Sequence, residues 1–139
     1  MSWRKTLSQS GYRISKPRLV VMEILAQAKI PMTPLAIFKQ SQKAGRKIGL
    51  VSVYRALELL TRLGLVCLVY ANDGSQGYMV TSEGHHHHII CRVSEQAIEF
   101  SGVNDLEELI LRVQQETGYT VSDHFLQLFG VCPNCQKLL

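Results

Sequence analysis

Residues 49–81 read GLVSVYRALELLTRLGLVCLVYANDGSQGYMVT, and this stretch decides the fold. Val53, Ala56, Leu57 and Leu60 recur at the spacing of one helix face, and Gly64 stops the helix. Ser52, Arg55 and Arg62 fall on the opposite face, with Tyr54 at its flank. Beyond the glycine, Val66–Tyr70 and Gln76–Thr81 bracket an Asp73-Gly74 turn, the pattern of a β-hairpin. Towards the N-terminus, Ser15 before Lys16-Pro17 and Thr33 before Pro34 mark two earlier helix starts, each a capping residue followed by proline. The first helix carries Val21, Ile24, Leu25 and Ala28 on one face; the second extends to Ala44.

Three short helices followed by a hairpin spell a winged helix-turn-helix, whose later helix enters the DNA major groove with its N-terminal residues at the base edges. Ser52, Tyr54 and Arg55 are placed for that contact: arginine pairs with guanine or phosphate, and the tyrosine ring can lie on a thymine methyl. Arg13, Lys16 and Arg18, with Lys43, Arg46 and Lys47, supply phosphate contacts and the salt-dependent part of affinity.

The 139 residues suffice for one ordinary domain or two small ones, and a 46% hydrophobic content excludes a disordered tail protein. No apolar run reaches the ~20 residues that a membrane helix needs. Met1–Thr6 lacks the apolar core of a signal peptide, so the expectation is a cytoplasmic protein without membrane partners. In that compartment four cysteines read as metal ligands before disulfides. Charge divides the chain at Ser82. Residues 1–82 hold 12 Lys/Arg against 3 acids; residues 83–139 hold 3 against 8, with all five histidines and three of the four cysteines. A basic half suits a polyanion, and an acidic half rich in His and Cys suits a cation. The division predicts a DNA-binding domain over 1–82 and a metal-binding domain over 83–139.

In the second half, His85-His86-His87-His88 runs into Ile89-Ile90-Cys91. On a strand, His85 and His87 share one face while His86 and His88 share the other, which suits two metal sites on either side. Gln96–Phe100 is a second strand, Asn104–Glu107 has capping-box spacing at the head of a helix with a Leu106, Leu109, Ile110, Val113 stripe, and Gly118 ends it. Val121–Val131 reads as a further strand carrying His124. Cys132-Pro133-Asn134-Cys135 is a zinc-gripping knuckle, and Cys91 is the obvious third ligand. Ser94 stands where a second C-x-x-C would finish, which leaves this structural zinc site incomplete. A redox C-x-x-C is the rival reading, but no βαβ pattern precedes it.

Taken together, residues 11–18 (GYRISKPR), 48–55 (IGLVSVYR), 85–91 (HHHHIIC), Ile98-Glu99-Phe100 and Asp123-His124 with the Cys132–Cys135 knuckle resemble the ferric uptake regulator (Fur) superfamily of metal-sensing repressors, its zinc uptake branch included. The resemblance implies an α+β fold, with an N-terminal winged helix and a small α/β dimerisation domain. It implies a homodimer on double-stranded DNA at an A/T-rich inverted repeat, repressing metal-uptake or homeostasis genes. By position it assigns His85, His87, Glu107 and His124 to a dimerisation-domain metal site. His86, His88 and Glu99 fall to an interdomain sensing site, to which zinc sensors add a ligand from the start of the wing, where Cys67 stands. Pro31 and Met79 occupy positions where iron and peroxide sensors usually place a histidine and an acid. Thiolate with imidazole favours Zn²⁺ over Fe²⁺ or Mn²⁺ as co-repressor. The alternatives are a divergent iron-, peroxide- or haem-responsive regulator, and outside the class a zinc enzyme or a metal buffer. No H-E-x-x-H helix supports an enzyme.

Overall fold

The computed structural model describes residues 2–82, 84–102 and 106–138. The N-terminal half contains α1 (Trp3–Gln9), α2 (Lys16–Gln27), α3 (Pro34–Lys43) and α4 (Leu50–Arg62), then the hairpin β1 (Val66–Tyr70) and β2 (Gln76–Val80). Ser15 and Thr33 cap α2 and α3 as the sequence predicts, accepting the N–H groups of Arg18 and Ala36. Val21, Leu25, Ile37, Val53, Leu57 and Leu60 are the centre of the first core. Helix α1 is an element the periodicity does not announce: it buries Leu7 alone, too little for a stripe.

The hairpin pairs Val66 with Val80 through Tyr70 with Gln76. A bridge between Met32 and Tyr78 adds the segment before α3 to its edge. Gly77 allows that approach, because a Cβ there would lie 2.6 Å from Pro31 Cβ and 2.8 Å from Met32 N. This arrangement of helices and hairpin is a winged helix-turn-helix.

The C-terminal half contains β3 (His86–Cys91), β4 (Ala97–Ser101), α5 (Glu107–Thr117), β5 (Gln127–Gly130) and the short α6 (Pro133–Gln136). The strand order is β4-β3-β5, with β4 antiparallel to β3 and β5 parallel to it. A parallel neighbour requires a crossover, and α5 lies within that connection. This region differs in two respects from what its sequence predicts. Strand β5 begins at Gln127, not Val121; His124 stands before it, its backbone N–H taken by its neighbour Asp123 Oδ1 at 2.8 Å, away from any ladder. The α5 stripe is not buried: no residue of the helix is, and Leu109 is 45% exposed. The Asn104 cap lies outside the described residues.

The registers fix the sheet's two faces. His85, His87, Ile89 and Cys91 share one with Ile98, Phe100 and Leu128; His86, His88 and Ile90 share the other with Ala97 and Glu99. The second face packs on the wing through a core of Val69, Met79, Ile90 and Ala97, with Cys67 against it. Polar contacts reinforce this seam. The Gln127 carboxamide accepts from the Tyr70 N–H (2.9 Å) and donates to the Tyr70 carbonyl (2.7 Å), Asn72 Nδ2 donates to the Cys91 carbonyl (3.1 Å), and the Ala97 N–H donates to the Lys29 carbonyl (2.9 Å).

Candidate DNA-binding face and metal sites

Helix α4 presents Tyr54 (54% exposed) and Arg55 to solvent on its first turns, while Val53, Ala56 and Leu57 hold its other side in the core. Arg13, Ser15, Arg18, Ser52 and Arg55 line one shallow pocket of about 260 Å³ between the start of α2 and α4. Arg18 is oriented by donating to the Arg13 carbonyl at 2.8 Å, with its guanidinium over the Tyr12 ring. Four of the six candidate DNA contacts, Arg13, Arg18, Ser52 and Arg55, thus line one pocket, while Tyr54 is exposed on α4 outside the lining. Lys16 is exposed at the first position of α2, outside the pocket lining. No acid lines this pocket, so its field suits a phosphate.

On the open side of β3, His85, His87 and His124 bring their ring nitrogens within 4.8 Å of one another. The His85 and His124 Nε2 atoms are 3.0 Å apart. Three imidazoles converging on one point are a ligand set for a transition-metal dication. Glu107, the fourth residue assigned here by resemblance, is exposed on the first turn of α5 and is not part of the cluster. Gly102 lies beneath it: a Cβ there would meet the His87 ring at 2.4 Å, and its N–H donates to the His85 carbonyl at 3.0 Å. Gly102→Ala is therefore expected to displace the His87 ring and cost about 10- to 100-fold in metal affinity at this cluster, measured by competition with a chelator of known affinity.

On the wing side of the sheet, Cys67 Sγ lies 3.8 Å from His88 Nδ1, and His88 Nε2 lies 3.9 Å from Glu99 Oε1. Strand pairing sets His88 opposite Glu99, and Cys67 reaches them from β1. Glu99 is fixed by Thr81 Oγ1 (2.5 Å), the Ser82 N–H (2.9 Å) and Ser82 Oγ (2.8 Å). Burial pushes the Glu99 carboxyl upward, but these three donors outweigh it and hold the group below the usual carboxylate range. Burial also lowers His88, against the pull of Glu99, and so favours the neutral imidazole that a metal needs. The Cys67 thiol is pushed up to about 11, by burial first and by the Glu99 charge second. His86 lines the same cleft as Cys67. Met79, paired with Cys67 across the hairpin, is buried in the apolar seam and offers no oxygen ligand.

A third cluster joins Cys91 at the end of β3 to Cys132 and Cys135, with all three Sγ atoms within 4.8 Å. Cys91 Sγ accepts the N–H groups of Val93, Ser94 and Cys132, each at 3.4 Å. Its pKa falls to about 5, the Cys132 N–H contributing most; Cys135 is pushed up to about 11 by its contact with Cys132 and by burial. Thr81, Ser82 and Gly102 escape the sequence reading, although a polar pair after one strand and a glycine after another are the available signals. Gln127 carries no signal, because its role depends on a distant backbone.

The model of the ferric uptake regulator family matches residues 9–129. The ferric uptake regulation protein of Campylobacter jejuni is 28% identical over 137 residues, covering 97% of this chain and 87% of its own. A zinc-bound manganese uptake regulator superposes with TM-score 0.60 at 29% identity, covering 93% of this chain and 97% of its own. A zinc uptake regulator complexed with zinc and DNA shares the fold with TM-score 0.78 at 17% identity, over 97% of this chain and 91% of its own. No described helix is long and apolar enough to cross a membrane. The chain belongs to the ferric uptake regulator family, whose proteins are metal-responsive transcriptional regulators and not enzymes.

Proposed function

We propose that this regulator is a DNA-binding repressor with zinc as its co-repressor, residues 1–82 reading DNA and residues 83–139 binding metal. The observation that carries the metal assignment is the Cys67 thiol 3.8 Å from His88 across the seam between wing and sheet. One thiolate with imidazoles and a carboxylate is a zinc-favouring set. Cys67, His86, His88 and Glu99 would hold the sensing ion, which would tie the wing to the sheet by charge neutralisation and ligation. Occupation favours the closed arrangement because only that arrangement presents ligands from both halves. His85, His87 and His124 would hold a second ion, with Glu107 joining when α5 docks.

The partner that completes the protein is a second copy in the cytoplasm. Ile98 (66% exposed) and Leu128 (43%) lie on the sheet face turned away from the wing, and α5 has no buried residue, so the half contains apolar surface without cover in one chain. A two-fold dimer sets two α4 helices on the two half-sites of an inverted repeat.

The test is fluorescence anisotropy of a labelled A/T-rich inverted-repeat duplex with metal-stripped protein, titrated with Zn²⁺ and, anaerobically, with Fe²⁺ or Mn²⁺. Binding switched on by zinc at the lowest free concentration is the expected result. A lower midpoint for Fe²⁺ or Mn²⁺ would reassign the co-repressor, and equal binding with and without every metal would refute metal dependence.

A further inference from the structure

Wing and sheet are joined by groups that have no place in a metal site. Strand β1 has β2 on one edge only, and the other edge of such a hairpin leaves backbone groups without a ladder partner. Gln127 supplies that partner to Tyr70. Its carboxamide is the side-chain equivalent of a peptide group: it accepts the Tyr70 N–H (2.9 Å) and donates to the Tyr70 carbonyl (2.7 Å). The Tyr70 ring sits edge-on against Phe125, two residues before Gln127, with 5.4 Å between ring centroids. Asn72 adds a contact from the turn that follows β1, donating to the Cys91 carbonyl. Elsewhere on the seam the Ala97 N–H donates to the Lys29 carbonyl, and Val69, Met79, Ile90 and Ala97 add apolar packing.

The clip also adjoins the sensing ligands. Register sets Gln127 opposite His88, and Gln127, His86, His88 and Cys67 line one cavity of about 160 Å³. An ion that takes ligands from both halves binds only the closed arrangement, so its apparent affinity is scaled by the fraction of metal-free protein already closed. We propose that Gln127 is a positioning residue of the metal response: it holds wing and sheet closed in the absence of metal and thereby sets the zinc concentration at which DNA binding begins. Because the clip acts before the ion arrives, it changes how much zinc is needed and leaves the zinc-loaded complex as it is. The set-point rests on zinc closing the cleft at Cys67 and His88; the closure itself does not.

The test compares full-length wild-type and Gln127→Leu proteins, since leucine keeps much of the volume and removes both hydrogen-bonding groups. Loss of the two bonds is expected to raise the zinc midpoint of duplex anisotropy about tenfold, with affinity at saturating zinc unchanged. In the metal-free proteins, hydrogen exchange of the Ala97 amide, which is held by Lys29 and not by Gln127, is expected to quicken by about the same factor. Asn72→Ala is expected to move both readouts in the same direction and replaces Gln127→Leu if that variant does not fold. An Ala97 amide that exchanges at the wild-type rate would overturn the clip. A faster Ala97 amide with an unchanged midpoint, or with weaker binding at saturating zinc, would overturn the set-point. Wild-type binding indifferent to zinc would instead remove zinc as co-repressor, and the Ala97 amide would still decide the clip.

Discussion

Arg55→Ala protein is expected to lose specific duplex binding while retaining its full metal content. Arg55 is exposed on the first turns of α4 and shares a pocket with Arg13 and Arg18, so its removal takes nothing from the core. A bidentate arginine contact to a base is worth about 1–3 kcal/mol, and a phosphate contact adds a salt-dependent share. Combined with Tyr54→Ala, whose ring is 54% exposed, the loss should exceed either single change. Anisotropy at two salt concentrations separates the roles: a base contact relaxes specificity, while a phosphate contact lowers the salt slope by about one. A parallel fall in bound metal would contradict the division of labour between the halves.

The second large effect is expected at the seam. Cys67→Ser is nearly isosteric, yet replaces a soft thiolate by a hydroxyl that ligates zinc poorly. The midpoint of zinc-induced duplex binding should rise by at least about tenfold, the lower end of what losing a ligand's outer-shell partner alone costs, with His88→Ala shifting it in the same direction. The melting temperature without metal should change little for Cys67→Ser, since the side chain is only partly buried beside Val69 and Met79. An unchanged midpoint would make Cys67 a small packing residue of the hairpin and leave the sensing ion to the imidazoles.

How much of this was legible depended on the range of the interaction. Ser15 and Thr33 announce α2 and α3 because a cap is a contact between residues three apart. Asp73-Gly74 announces the hairpin, and period-two alternation sorts the four histidines correctly onto two faces. Cys91 and the C-terminal knuckle were readable as partners from ligand chemistry alone. What stayed hidden has its cause at a distance. The stripe of α5 reads as buried, but the described residues of one chain provide little to bury it. His124 reads as a strand residue because Phe125 and Leu126 follow it in an apolar run, whereas its backbone N–H is taken by Asp123. The three donors on Glu99 and the Gln127 clip on Tyr70 link segments many residues apart, and no local pattern encodes them.

The parallel pairing of β5 with β3 has a consequence for the order in which the molecule forms. The winged helix is assembled mostly from neighbours along the chain and has its own core, so it can collapse early. Strand β3 emerges with its histidines and Cys91 but cannot complete either cluster until the chain has crossed over through α5. His124, Gln127, Cys132 and Cys135 all follow that crossover in the chain, so neither cluster nor the clip to the wing can be complete before it is made. During synthesis the helices and hairpin of the N-terminal half therefore emerge before the residues that complete the two clusters.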